Sequence, residues 1–189
     1  MKKTRLDLMP VLFPTPVVLV TCKDPSSQPN IITIAWTGVV NSKPPMIGIS
    51  IQPIRYSHKL IRASGEFGVN IPTREMLRVT DYCGSISGRR VNKFETTGLT
   101  AFQGEKIAAP LIEECPVNLE CKVRHFLTLG MHDLFIGEIL AVHADKDIVD
   151  DTGHIVPEKM DPVAFFSRPL EYWSLREKIG TYGFTQGKL

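Results

Sequence analysis

The chain has 189 residues, 43% hydrophobic and 22% charged, with a formal net charge of +2. These values describe one globular domain able to bury a substantial core, and they argue against a nucleic-acid partner, which needs a concentrated basic face. No apolar run approaches the ~20 residues that span a bilayer, and the N-terminus, with Asp7 and early prolines after Met-Lys-Lys, lacks a signal-peptide core. A cytoplasmic protein without a membrane partner is therefore expected.

Residues 1–15 read as an N-terminal arm, because Pro10, Pro14 and Pro16 forbid a helix there. Residues 17–22 form an apolar strand, followed by a turn over 23–29. The stretch 30–40 is rich in β-branched residues and is expected as one strand. Asn41, Ser42 and two prolines make a turn, and a second strand covers 46–51. Ser57 then stands before Leu60 and Ile61 at the place of a helix N-cap, with the helix ending near Gly65. A strand is expected over 67–71 and a second helix from Thr73 to about Cys83.

Residues 84–90 hold two glycines, two serines and two arginines. Such a loop suits an anion, through close backbone N–H groups and the guanidinium fork; it reads equally as a solvated loop. Residues 91–94 form a short helical turn carrying Lys93. Residues 117–126 alternate with period two, placing Asn118, Glu120, Lys122 and Arg124 on a wet face. The longest strand is expected over 134–144, with Gly137 marking a bulge or a close approach. Residues 145–160 read as polar loop, 163–167 as a short apolar segment, and the chain closes on Tyr172, Trp173, Tyr182 and Phe184. Those aromatics suit an interface, a ligand wall or a core edge. The pattern of short strands, turns and small helices predicts a mainly β fold, a β-barrel with short helices, in one domain over 1–189.

The four cysteines form no Cys-x-x-Cys pair, and the five histidines stand at no zinc-like spacing to them, so no metal site is expected. Buried reduced thiols are expected at Cys115 and Cys121. Cys83 lies among glycines and basic residues, which leaves a redox role open. No G-x-G-x-x-G follows a strand, so no Rossmann nicotinamide site is visible.

Seven ordered phrases carry a resemblance: NIITIAWTGVVNSKPPMIGISI, RYSHKLI, SGEFGVNIP, DYCGSISGRRVNKFE, APLIEECPVNLECKV, HDLFIGEILAVHAD and EYWSLREKIGTYGF. Together they run across most of the chain, which resembles the flavin reductase-like proteins with an FMN-binding split β-barrel of Greek-key type, particularly the flavoredoxin-like branch. The resemblance implies FMN as cofactor. Ala35, Trp36 and Thr37 would lie along the flavin ring, with Asn41 and Ser42 close by; Ser50, Ile51 and Gln52 would contact ribityl and phosphate. The phosphate would fall to Arg55, Ser57, His58 and Lys93. His132 would lie over the flavin face, where a nicotinamide docks, as the catalytic residue. Read alone, an indole in a strand such as Trp36 is more often core or interface, and a loop histidine such as His132 more often simply solvated.

The resemblance further implies a homodimer and electron transfer from NAD(P)H or a protein donor to flavin, ferric chelate or a redox partner. The competing function is a non-enzymatic FMN-binding or storage module. A split-barrel oxidase acting on a pyridoxine-like substrate shares the broad fold but not these phrases.

Overall fold

The computed structural model describes residues 2–175 and 177–186. Its strands in chain order are β1 (Thr15–Pro16), β2 (Val18–Cys22), β3 (Asn30–Ile34), β4 (Thr37–Ser42), β5 (Pro45–Ile51), β6 (Glu66–Ile71), β7 (Ala101–Phe102), β8 (Leu111–Ile112), β9 (Val117–Thr128), β10 (Asp133–Ala144), β11 (Val163–Phe166) and β12 (Glu171–Ser174). The helices are α1 (Tyr56–Ser64), α2 (Leu77–Ser85), α3 (Lys93–Thr97) and α4 (Pro157–Met160). Seven strands make one antiparallel sheet in the order β3-β2-β6-β9-β10-β5-β4, curled into the half-barrel of a split β-barrel. A small sheet β1-β11-β12 lies beside it. The expected mainly β fold is the one observed.

The expected single strand over 30–40 is two strands. Backbone bends at Ala35 and Trp36 separate β3 from β4, and these sequence neighbours stand at opposite ends of the sheet. β-branched composition reports strand preference but not the corner, because Ala35-Trp36 carries no glycine or proline to announce it. Curling brings β3 back towards β5. The backbone N–H of Ser50 on β5 donates to the Trp36 carbonyl at 2.9 Å, which fixes the corner against the far edge.

β2 is buried along its whole length. Val18, Val20 and Cys22 face the interior of the curl with Phe67, Val69, Cys121 and Phe135. Leu19 packs on the outer face with Cys83, Phe94 and Ile112, under α2 and α3. The glycine expectation in β10 holds: the β9–β10 register shifts at Ile136/Gly137, and a Cβ on Gly137 would stand 2.6 Å from the Phe67 ring.

Three further expectations are corrected. The α1 N-cap position is Arg55; Ser57 sits inside the first turn with its side chain buried. Asn118 and Glu120 do not face water. The Glu120 carboxylate, 0% exposed, accepts the backbone N–H groups of Glu105, Lys106 and Ile107 at 2.7–2.9 Å and contacts His143 Nε2 at 2.7 Å. Asn118 Nδ2 donates to Asn70 Oδ1 at 2.9 Å and to the Ile112 carbonyl at 2.8 Å. Glu66 takes the Ala108 N–H at 2.5 Å in the same way. Period two correctly separates the two faces of β9, but the loop after β7 covers the polar one, and the side chains satisfy that loop's backbone. Finally, 145–160 is not all polar loop: Ile148 and Met160 are buried with Val117.

Candidate functional site

A continuous cleft runs along the seam between β3 and β5. Its polar end is a cavity of about 520 Å³ and its flat end one of about 270 Å³. Ile32, Gln52, Arg55 and Gly84 line both, so the two ends form one groove.

The floor of the polar end is a buried polar cluster. Lys93, 2% exposed at the start of α3, donates from Nζ to the carbonyl oxygens of Ile31 and Cys83, each at 2.6 Å. No carboxylate pairs with it among the described residues. Burial, helped by nearby Arg55, holds its pKa below the ordinary lysine value, against the opposing pull of Cys83 and Cys22. Two of the three ammonium N–H groups are accounted for, and the residue lines the cavity. Beside it Asn30 Nδ2 donates to the buried Ser57 Oγ at 2.7 Å. Tyr56 and Ser57, the first two residues of α1, stand at the same wall, where helix N–H groups begin without preceding carbonyl partners.

The loop after α2 closes the cavity. A Cβ on Gly88 would collide with the Asn30 side chain, so only glycine allows this approach. Arg55, Arg89 and Arg90 stand exposed at the rim. Cys83 lines the cavity too, but burial pushes its thiol up to about 11, overcoming the Lys93 charge. The thiol is therefore protonated and unactivated. All four cysteines are buried and unbridged.

The flat end is walled by Trp36, Phe165, Ser50, Ile51 and His132, with β3 along one side. Ile31 points its carbonyl out of the sheet to Lys93; by the two-residue alternation of an antiparallel edge, the Thr33 backbone shares that direction and faces the slot. The His132 and Trp36 rings lie 4.4 Å apart at 32°. β10 begins at Asp133, paired in register with Ile51, so His132 emerges beside the end of β5. Burial, with Arg55 adding, lowers the His132 pKa and keeps the ring neutral at neutral pH.

The cleft brings together Ala35, Trp36, Ser50, Ile51, Gln52, Arg55, Ser57, Lys93 and His132 of the sequence-predicted residues. Four lie elsewhere. Thr37 donates its hydroxyl to the Gly48 carbonyl at 2.8 Å within the sheet. Asn41 and Ser42 are exposed at the far end of the β4–β5 hairpin, roughly 13 Å of strand away, and Asn41 Nδ2 donates to the Pro44 carbonyl at 2.7 Å. His58 points into the core, where Nε2 meets Asp133 Oδ2 at 2.8 Å between Phe126 and Phe135. Its place one residue after Ser57 turns it to another helix face, so it braces the start of β10 instead of the cleft.

Sequence reasoning flagged the 84–90 loop without assigning residues from it, and it missed Asn30, Thr33, Tyr56 and Phe165. Phe165 lies in the separate small sheet, backed by Tyr172 with ring centroids 5.1 Å apart, and nothing local to its segment announces the slot.

A cationic pit thus opens into a flat aromatic slot along the seam of a split half-barrel. The family model described as "Flavin reductase like domain" matches residues 11–174, and the chain belongs to that family. The chain is similar to flavoredoxin of Desulfovibrio vulgaris (Miyazaki F), with a TM-score of 0.91 at 37% identity, covering 100% of both chains. Flavoredoxin of Methanosarcina acetivorans gives 0.91 at 31% identity over 100% of this chain and 98% of its own. An uncharacterized protein of Archaeoglobus fulgidus is 36% identical over 146 residues, 77% of this chain and 81% of the relative.

Proposed function

We propose that the chain is an FMN-binding oxidoreductase of the flavin reductase and flavoredoxin type, passing electrons from NAD(P)H or a protein donor through FMN to flavin, a ferric chelate or a redox partner. The observation that carries this reading is the continuity of the cleft from the Lys93 pit to the Trp36–His132 slot. A ligand with a phosphate at one end and a flat ring at the other fits that sequence of chemistries. A buried ammonium that, among the described residues, hydrogen-bonds two neutral carbonyls and no carboxylate supports an anion beside it.

Lys93, Ser57, Asn30 and the α1 N-terminus would hold the phosphate. Gln52 and Ser50 offer polar groups along the middle, and the outward β3 backbone offers donors and acceptors to the polar ring edge. When bound, the flavin supplies the redox chemistry, accepting a hydride equivalent and handing electrons on. Trp36 and Phe165 would flank the ring. His132, neutral in this setting, can hold or move a proton at the slot's edge through a ring nitrogen.

The assembly that fits is a homodimer. Val39, 78% exposed, and Val40 lie on edge strand β4, and Leu127, Leu129 and Met131 are exposed around the β9–β10 hairpin. Apolar edges of this kind are covered in stable proteins. Four unbridged cysteines accord with a reducing cytoplasmic setting. Among the described residues no helix is long and apolar enough to cross a membrane.

The test is the visible absorption spectrum of the purified protein, before and after anaerobic NADH and then NADPH. Yellow protein bleached by either nucleotide is the expected result. Yellow protein untouched by both would favour a protein-fed carrier or a storage module. Colourless protein that binds no added FMN would overturn the reading.

A further inference from the structure

The polar end of the cleft holds more positive charge than one phosphate uses. Lys93, Arg55, Arg89 and Arg90 line it, with no aspartate or glutamate. Among the described residues none of the four is in an ion pair. A phosphomonoester carries roughly −2 at neutral pH, leaving about half of that charge unmatched.

The cations also stand at two depths. Lys93 lies on the buried floor, whereas Arg89 and Arg90 are exposed on the rim. The Arg89 guanidinium sits 5.9 Å from the Tyr56 ring centroid, a cation–π contact that helps aim it across the mouth. Ile54 and Ile86 line the same mouth with exposed apolar side chains, suited to the faces of a flat base.

We infer that Arg89 and Arg90 form a second phosphate subsite, which takes the 2′-phosphate of NADPH while the flavin phosphate occupies the Lys93 floor, so that the chain selects NADPH over NADH. This rests on the flavin reductase reading above. The 2′-phosphate is a terminal monoester with its oxygens free for the guanidinium fork, whereas the bridging diphosphate common to both nucleotides offers no such end. The groove shared by both cavities connects this rim with the slot where the nicotinamide would meet the flavin.

The experiment is calorimetric titration of the FMN-saturated full-length protein with 2′,5′-ADP and with 5′-AMP, repeated on R89Q/R90Q and R89K/R90K. The wild type is expected to bind 2′,5′-ADP at least about tenfold more tightly, R89Q/R90Q to lose that preference, and R89K/R90K to keep part of it. In anaerobic reduction the half-saturating NADPH concentration should rise in R89Q/R90Q more than that of NADH. Equal affinity for the two probes in the wild type overturns the inference and leaves the flavin reading standing. So does a loss of FMN affinity in R89Q/R90Q as large as the loss for 2′,5′-ADP, since the rim arginines would then anchor the flavin. Failure to take up FMN at all overturns the flavin reading and this inference with it.

Discussion

Lys93 Nζ lies 2.6 Å from the carbonyl oxygen of Ile31, so a helix begun after the glycine loop is tied by its ammonium to the outer edge of β3. One residue thus serves both the seam of the barrel and the polar floor of the cleft. Lys93→Ala should lower FMN affinity by roughly 1–3 kcal/mol, with Ser57→Ala acting in the same direction. The Lys93 pKa is depressed, so the ammonium loses its proton below the ordinary lysine value near 10.4, and wild-type affinity should decline at alkaline pH before that point. Quenching of flavin fluorescence on titration checks both; unchanged affinity in both variants would sink the phosphate assignment.

His132 should shape the acid limb of flavin reduction. Its pKa is lowered, so as pH falls the ring charges only below the ordinary histidine range near 6.5. The rate should then change, because a cation appears beside Arg55 and the slot. His132→Phe keeps a ring against Trp36 and removes the proton site; stopped-flow reduction between pH 5 and 8 should lose that limb. A limb that survives the substitution belongs to another group.

Glu120→Gln should destabilise the fold by roughly 2–3 kcal/mol, because the carboxylate anchors three loop N–H groups. Burial alone would raise its pKa, but those N–H groups and His143 outweigh it and the net shift is downward. Its contribution is therefore complete above the unfolded-state pKa and disappears as pH falls through the lower folded value. Urea denaturation at pH 7 and pH 4 should show a wild-type advantage that shrinks in acid.

Native thiols should resist alkylation at pH 8. Burial drives Cys22 and Cys121 up to about 12 and Cys83 up to about 11, and it raises Cys115 as well. Iodoacetamide followed by mass spectrometry should label all four only after unfolding. Rapid labelling of Cys83 in the native protein would restore a redox role for it.

Val39→Asp should shift the protein towards monomers by placing a charge on the exposed edge of β4. Sedimentation velocity reads the outcome. A dimer that survives the change uses another surface.

The sequence carried the strands well, because short β-branched and apolar runs between turn residues leave little choice. It brought Ser57 and Lys93 to the polar floor of the cleft, where residue type and local position coincide. It could not carry Phe165, which reaches the slot from the small sheet, more than a hundred residues beyond β3. His58 and Glu120 show the complementary failure. Each has a side chain fit for surface chemistry, yet Asp133 and the covering loop turn it inward, and neither partner lies within its local pattern.

The corner at Ala35-Trp36 joins the two ends of the sheet through a few residues of chain and also walls the slot. A ring seated there would bridge the barrel's two free margins like a rivet across a seam. Loss of such a ring and opening of the barrel would then be one motion, and heat resistance should track flavin occupancy more closely than it tracks the packing of the distant core.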